Sequence, residues 1–579
     1  MAFPEYGSKY RFPEFEAAVL KFWKDRRVFE RLLSTKAQRK SFGFYDGPPF
    51  ATGTPHYGHL LAGAIKDIVP RYWTMRGYHC ERKFGWDCHG LPVEYEMEKT
   101  LKLSGSLAIR EYGIGKFNEA CRGIVLRYTA EWRDVVERMG RWVDLDNDYK
   151  TMDPDFMESI WWAFSELWRK GLVYQGKKVV PYSWRITAPL SNFEAGLNYK
   201  SVQDPAITVL FPTTENPKTA FLAWTTTPWT LPANLAVTVN PALAYVKLPL
   251  LNPMGGIDSA WIAESRAADY AKELGQEPLE RVLGRDLVNK TYSPLFPFYA
   301  NCAAKGAFRV LAGDFVTDTD GTGFVHTAPA FGEDDFFVAK TAGIELVDPT
   351  NDAAEFTQEA PPYAGKFVKD ADKDIIRDLK AAGRLLRQTT IQHNYPYCYR
   401  SDTPLIYKAI SSWFVAVEKF KDRMVAHNQT IRWVPGHLRD GRFGKWLENA
   451  RDWCISRNRF WGTPIPVWIC ESCGQKHVVS SRKELSSLAG KEVADLHSHF
   501  VDDIKFDCPA CKTKAGMKRT PEVLDCWFES GSMPYAQTHY PFEHSTEFQQ
   551  TFPADFIAEG LDQTRGWFYT LTVLSAALF

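Results

Sequence analysis

The sequence predicts an α/β protein: a parallel-sheet domain interrupted by a large α+β insertion, with a small cysteine-bearing insertion further along. Three observations carry this. A short apolar run, Phe42 to Tyr45, passes through a Gly/Pro-rich loop into a helical pattern, the opening of a βαβ unit. Between about Pro205 and Val368 the texture changes to short β-like runs with turns between them. From about Tyr395 a Trp-rich α/β pattern returns.

In chain order, Phe15, Val19, Leu20, Phe22, Trp23, Val28, Phe29 and Leu32 recur at helical spacing, so Phe12 to Leu33 reads as helix. Phe42 to Tyr45 reads as a strand, and the breakers from Asp46 to Pro55 as a loop. A second helix starts at His56 and runs through Leu60, Ala64, Ile65, Ile68, Tyr72 and Trp73. Gly77 stops it, and Pro70 is a candidate kink. Residues 110–175 read as helices rich in Trp and Arg. Ala206 to Phe211, Phe221 to Thr226 and Gly323 to Thr327 read as strands. No internal repeat is present.

At 579 residues the chain is long enough for three or four domains. Its 45% hydrophobic content, with 20 Trp, 25 Tyr and 38 Phe, supplies sizeable cores. Lys plus Arg and Asp plus Glu each number 70, so no basic excess marks a dedicated nucleic-acid binder. Residues 1–12 lack the basic and apolar segments of a secretory signal, and the apolar run Trp567 to Phe579 is too short to span a bilayer. Eleven scattered cysteines fit a reducing compartment. The expectation is a cytoplasmic protein with no membrane contact.

The densest local signal is Asp46-Gly-Pro-Pro-Phe-Ala-Thr-Gly-Thr-Pro-His-Tyr-Gly-His59. A Gly/Pro loop lets a ligand approach the backbone closely, and the following helix offers unpaired N–H groups and its positive dipole end to phosphate. His56 and His59 share one side of the first turn, and Gly58 between them leaves room for a nucleotide. Two imidazoles there can stabilise charge developing on phosphate. The plainer alternative is a capped helix with two surface histidines. A second signal is Cys470-x-x-Cys473 with Cys508-x-x-Cys511, two tight turns that can aim four thiolates at one tetrahedral centre. Gly474 and Lys512 follow the two pairs, 34 residues separate them, and His477 is a substitute ligand. The alternative is a redox pair or buried free thiols.

The first of these stretches resembles the H-I-G-H motif of class I aminoacyl-tRNA synthetases, with Tyr57 in the second place. Gly85-Trp-Asp-Cys-His-Gly-Leu-Pro-Val-Glu94 is similar to the isoleucine-specific members, where valine and leucine members carry other strings. Asp452 to Gly462 resembles a strand-to-helix segment of that family, and Leu524 to Gly531 and Ala558 to Trp567 resemble its amino-acid pocket walls. The wording is closest to the eukaryotic-type branch.

The resemblance implies a Rossmann-like parallel-sheet catalytic domain split by an α+β, β-barrel-like editing insertion, plus a zinc-binding insertion. The implied limits are 1–40 for an N-terminal helical segment, 41–195 and 394–579 for the two catalytic halves, 196–393 for editing, and about 466–518 for zinc. It implies ATP with Mg²⁺ held at His56, Gly58 and His59, and isoleucine held by Gly47, Pro48, Asp87, Trp527, Glu559, Gln563 and Trp567. Asp87 takes the ammonium group, while Pro48, Trp527 and Trp567 wall the side chain. Glu559, Gln563 and Trp567, at i, i+4 and i+8, are expected on one helical face. A structural Zn²⁺ on Cys470, Cys473, Cys508 and Cys511 is expected, with no second zinc near Ser183 or Cys398. The implied partners are tRNA(Ile), isoleucine and ATP, and the implied state is a monomer.

One methylene separates isoleucine from valine. It is worth about 1–3 kcal/mol of discrimination, a magnitude known from isoleucine-specific enzymes themselves, and too little for translation. A hydrolytic second site answers this. Trp224-Thr-Thr-Thr-Pro-Trp-Thr230 and Gly321 to Asp335 resemble it, with Thr225, Thr226, Thr227, Asn234 and His326 lining a pocket and Asp335 fixing the ammonium of the wrong amino acid. Read alone, the threonines would be an ordinary β-strand and Asp335 a first-turn helix acid. The family's second motif, K-M-S-K-S, does not occur in the sequence. The ending at Phe579 reads as a helix cut short, without the anticodon-binding domain, so a fragment weak in adenylation is expected. The competing readings are a valine or leucine member, a silent tRNA-binding paralogue, and a small nucleotidyltransferase sharing H-x-G-H.

Overall fold

The structure is a computed structural model that describes residues 11–34, 40–103, 105–190 and 195–579. Parts of the expected N-terminal segment 1–40 and the end of the 41–195 segment therefore lie outside the described residues. The chain divides into two compact units: residues 1–176 with 412–579, and residues 177–411.

In the first unit, the expected N-terminal helix is two helices, Phe12–Asp25 and Val28–Leu33, parted by Arg27 at a φ of 48°. Phe42 to Tyr45 is not a regular strand. It forms single parallel bridges, Ser41 to His79 and Phe44 to Phe556, because the Gly/Pro loop begins at once and leaves no room for a ladder. Those bridges, with the parallel pair Lys83–Trp86 and Asp144–Lys150, make a parallel arrangement around the loop. Residues 110–175 accordingly hold a strand as well as the helices Ile114–Arg138 and Pro154–Arg169. Helix Tyr57–Met75 continues through Pro70, so that proline does not end it, and Gly77, at a φ of 91°, follows its end.

Asp452 to Gly462 departs from the expected strand-to-helix form. It holds two short strands, Trp453–Cys454 and Ser456–Arg457, and no helix. The reason is a buried ion cluster: Arg459 pairs with Glu94 and Glu98 of helix Leu91–Leu101, and Glu94 Oε1 also accepts from the backbone N–H groups of Phe460 (2.9 Å) and Trp461 (2.6 Å). Backbone donors bonded to a distant carboxylate hold the segment extended.

The second unit is α+β, as its texture predicts. Six strands run in the order Glu280–Leu283, Ala244–Met254, Ile257–Ala263, Thr219–Thr225, Tyr199–Pro212, Leu385–Pro396. A separate three-stranded sheet runs Arg309–Ala312, Ala236–Val239, Phe324–Thr327. Bridges from Thr213 to Tyr292 and from Thr291 to Arg309 stitch the two sheets along one side, part-way to a barrel-like form. Apolar residues from both sheets, including Val209, Phe221, Val237, Tyr245 and Phe324, share one core. The unit extends past 196–393, to 177–411, because Val179, Tyr182, Ile406, Ala409 and Ile410 pack into its core from outside those limits.

One close approach couples the parallel pair to the loop. A Cβ on Gly85 would lie 1.9 Å from Tyr149 Cζ, and the Tyr149 hydroxyl donates to the Asp46 carbonyl at 2.8 Å. Gly85→Ala is expected to destabilise the protein by about 1–3 kcal/mol through overpacking. Gly123→Ala, in open space on helix Ile114–Arg138, should instead stabilise it by about 0.5–1 kcal/mol. Chemical denaturation of both variants checks the contrast.

Candidate functional site

The loop Asp46 to Pro55 and the start of helix Tyr57–Met75 line a cavity of about 240 Å³. Gly47, Pro48, His56, Gly58, His59, Asp87, Trp527, Glu559, Gln563 and Trp567 all line it. The ten residues expected to bind nucleotide or amino acid therefore converge, though they lie up to 520 positions apart (47 to 567).

His56 is the N-cap of the helix. Its Nδ1 accepts from Gly58 N–H at 3.1 Å, and His59 Nδ1 accepts from His56 N–H at 3.2 Å. This reciprocal capping fixes the tautomers: both Nδ1 atoms are acceptors, so each neutral ring carries its proton on Nε2. The rings stack with centroids 3.7 Å apart. Burial, then the neighbouring His56 and Lys66, lower His59 to about 4, which keeps it a neutral donor near pH 7. Capping and a phosphate site are therefore compatible readings, since capping through Nδ1 leaves both Nε2–H groups unused by the helix.

Charge decides the other end of the cavity. Lys66, 6% exposed, sits on the buried face of its helix with Gly63 and Pro70. Its Nζ lies 2.9 Å from Asp46 Oδ1 and pairs with Glu559, while Arg141 pairs with Asp46. Two cations thus meet two carboxylates. Burial opposes both charges, yet the partners outweigh it: Asp46 is held below the usual carboxylate range and Lys66 above the usual lysine range. Burial raises Glu559 despite Lys66. Asp562 is exposed and accepts from Gln563 Nε2 at 2.8 Å.

Asp87 is different. It is 2% exposed, and its Oδ1 has no hydrogen-bond partner among the described residues. Burial, then the charge of Glu529, push its carboxyl well above the usual range. A buried carboxylate oxygen beside a cavity, with no cation paired to it among the described residues, is a candidate place for one. Glu559, by contrast, already has Lys66 as its partner. Sequence reasoning missed Asp46, Lys66 and Arg141; a lysine at helical spacing between Gly63 and Pro70 was the available signal.

Aromatic rings form the opposite wall. Trp567 is 3% exposed and donates from Nε1 to Ser530 O at 3.0 Å. Trp527 meets Phe50 edge to face at 6.1 Å. Gly47 has no room for a Cβ, which would fall 2.4 Å from Glu559 Oε1 and 3.0 Å from Trp567. Glu559, Gln563 and Trp567 do not share a helical face. Leu561–Arg565 is a 3₁₀ turn, and Gly566 (φ −121°, ψ −112°) breaks the chain before helix Trp567–Leu578. Gly566 packs under Trp527, 2.9 Å from where a Cβ would be, which forces the break. The three still reach the cavity, and Gln563 Oε1 accepts from Trp567 N–H at 3.1 Å.

In the second unit, a chain of hydrogen bonds joins Thr225, Thr227, Asn234 and His326. Thr227 N–H donates to Thr225 Oγ1 at 3.1 Å, and Thr230 Oγ1 donates to Thr227 O at 2.8 Å. Tyr292 OH donates to Asn234 Oδ1 (2.7 Å), and Asn234 Nδ2 lies 2.9 Å from His326 Nδ1. With Nδ1 accepting, His326 Nε2–H donates to Thr230 Oγ1 at 2.8 Å. Burial lowers His326 to about 3, so it is neutral and fully bonded: it holds the threonine turn in place. Thr226 is half-buried beside this chain. Asp335, in the first turn of helix Glu333–Thr341, accepts from Ala328 N–H at 2.8 Å, at the end of the strand that carries His326. Burial raises its carboxyl to about 7.

The four cysteines also converge. Cys470 and Cys511 sulfurs are 3.5 Å apart, Cys473 and Cys508 are 3.7 Å apart, and all four lie within 4.8 Å of one another. The two turns match. Gly474 N–H donates to Cys470 O (2.9 Å) and Lys512 N–H to Cys508 O (3.0 Å), with φ of 73° and 62° at those two residues. His477 is elsewhere engaged, 3.1 Å from Glu484 Oε1, because strand Lys476–Val478 turns it toward helix Arg482–Ala489.

A family model for tRNA synthetases class I (I, L, M and V) matches residues 18–579. The isoleucine–tRNA ligase of Bdellovibrio bacteriovorus is 56% identical over 97% of this chain and 53% of its own length. That of Protochlamydia amoebophila is 56% identical over 98% and 54%, and that of Chlamydia pneumoniae 53% over 99% and 54%. The chain spans about half the length of the curated relatives it matches. With the capped histidines, the charge-balanced cavity and the matched span in agreement, the chain belongs to the class I tRNA synthetases of the I, L, M and V group.

Proposed function

We propose that the chain is the amino-acid-activating and proofreading portion of an isoleucine–tRNA ligase, using ATP with Mg²⁺ and serving tRNA(Ile). The observation that carries this is Asp87, a buried carboxylate with a free oxygen in a cavity walled by Trp527 and Trp567 and headed by two capped histidines. The printed names of the relatives agree with it.

In this reading the ammonium of isoleucine meets Asp87, and its side chain lies against Pro48, Trp527 and Trp567. The carboxylate is then presented toward His56 and His59, whose Nε2–H groups donate to the phosphate under attack and stabilise its growing charge. Lys66 and Arg141 neutralise Asp46 and Glu559, so the site repels neither ATP nor the amino acid's carboxylate. A charge-assisted bond to a buried carboxylate contributes about 1.5–3 kcal/mol. Asp87→Asn is therefore expected to weaken isoleucine binding by roughly 10–150-fold in calorimetric titration, with a melting temperature no lower than the parent's, since burial and Glu529 disfavour the charge it removes.

The second unit would hydrolyse valyl products. Asp335 holds the valine ammonium, and the threonine turn of Thr225, Thr226 and Thr227, fixed by Asn234 and His326, positions substrate and water. Asp335 must be ionised to do so, and its carboxyl sits at about 7. The kcat/KM for valyl-tRNA(Ile) hydrolysis should rise with pH through about 7 and turn down above about 8, where the substrate amine loses its proton. Asp335→Asn should abolish the rising limb together with the preference for valyl- over isoleucyl-tRNA. Equal hydrolysis of both by the unaltered chain would defeat the proofreading assignment.

The four cysteines fit zinc. Thiolates about 2.3 Å from a tetrahedral ion stand roughly 3.8 Å apart, close to the observed spacings. Cys470, Cys473, Cys508 and Cys511 would hold the ion with no position left for substrate, so it would supply folding energy to the segment between strands Val467–Cys470 and Met517–Arg519. Metal analysis should find one zinc per chain. Cys473→Ser should lower both the zinc content and the melting temperature.

A further inference from the structure

Helix Ile114–Arg138 brings to the cavity a side chain that the proposed reaction does not use. Trp132, Val135, Val136 and Met139, the last of them the C-cap of that helix, line the same cavity as His56 and His59. Trp132, Val136 and Met139 stand at i, i+4 and i+7, so one face of the helix reaches the site. Trp132 is 4% exposed. Its Nε1 donates to Gly53 O at 2.8 Å, and its ring meets His59 edge to face with centroids 4.9 Å apart. On the core side it meets Trp86 at 5.6 Å, and Trp86 is itself tied through Nε1 to Asp148 Oδ2 at 2.7 Å.

The bond to Gly53 falls where the loop has little other support. The loop's first part is tied through Asp46 to Lys66 and Arg141. Its middle is tied to Asp87, whose N–H donates to Pro49 O (2.9 Å) and whose carbonyl accepts from Ala51 N–H (3.0 Å). Its end is tied by the capping of His56. Among the described residues, 52–55 make one hydrogen bond, the one from Trp132. Gly53 presents its carbonyl at a φ of 74° with open space where a Cβ would be, so backbone conformation calls for the glycine and crowding does not. Nor does burying an indole guarantee such a bond: Nε1 of Trp142, Trp229, Trp413 and Trp446 is buried without a partner among the described residues.

We propose that Trp132 is a positioning residue for the nucleotide: its N–H pins the loop at Gly53 and its ring backs His59, so that loop and imidazoles meet the phosphates in one preformed arrangement. A loop ordered before binding loses less freedom when the ligand arrives. The inference rests on the reading of His56 and His59 as the phosphate site. Core packing accounts for the buried ring. It does not account for a donor aimed at the stretch of loop that has no other partner, and that is what the test isolates.

MgATP and isoleucine are titrated separately into the full chain by calorimetry. Trp132→Phe keeps a ring against His59 and removes the N–H. It should bind MgATP roughly 2–12-fold more weakly, the effect of one neutral hydrogen bond, and isoleucine as the parent does. Gly53→Ala, strained at the same carbonyl, should weaken MgATP in the same sense, and the double variant should be no weaker than the worse single one. Equal weakening of both ligands, or MgATP binding like the parent's, would overturn the inference and leave His56 and His59 in place. An unaltered chain that binds isoleucine but no MgATP would overturn the phosphate reading itself, and this inference with it. Should Trp132→Phe fail to fold, the indole N–H signal of Trp132 in the unaltered protein decides. A signal slow to exchange with water, and shifted by MgATP but not by isoleucine, supports the proposal. One that exchanges freely or ignores MgATP overturns it.

Discussion

The site depends on a balance of buried charge. Asp46 opens the loop, Lys66 comes from the following helix, Arg141 from the turn after a long helix, and Glu559 from more than four hundred residues further on. A buried ion pair is weak evidence for stability, because desolvation can cancel the attraction. Here its consequence is positional. The set of two cations and two anions locks the loop to the helix, while buried Asp87 keeps an oxygen without a hydrogen-bond partner among the described residues. In the proposed reading, specificity for an ammonium group would follow from what the other charges are already doing.

Histidine protons are placed by the same economy of partners. His56 and His59 are fixed by backbone donors, which leave Nε2–H toward the cavity. His326 is fixed by Asn234 and Thr230, which leave it nothing to offer a substrate. Three neutral imidazoles therefore have opposite roles, two as donors and one as a brace. Partner count separates them more cleanly than proximity to a pocket. The glycines act alongside: at Gly47, Gly85 and Gly566 aromatic rings or a carboxylate come too close for a Cβ.

Much of this was legible in the sequence. The Gly/Pro loop and His56 start a helix by local rules, the switch in texture marks an inserted α+β unit, and paired C-x-x-C turns fix cysteine geometry over four residues each. Every nucleotide and amino-acid candidate lines one cavity because those residues sit in long motifs whose local backbone is strongly constrained. What failed was periodicity applied across a break. Glu559, Gln563 and Trp567 look like one helical face, yet Gly566 must pass beneath Trp527 and the helix restarts there. The strand at Phe42 to Tyr45 shrank to single bridges for a similar reason, since the loop claims its end.

The sequence by itself determined the helix starts, the tight turns, the class of fold and which residue types could do chemistry, because those are properties of neighbouring residues and of short-range backbone geometry. Only the tertiary structure decided which carboxylate is free, which histidine is a donor and which lysine is buried. Those properties depend on partners hundreds of residues away: Glu559 for Lys66, Asn234 for His326, Glu529 for His89. A charge acquires its role when its counter-charge arrives, and that pairing is written in the folded chain.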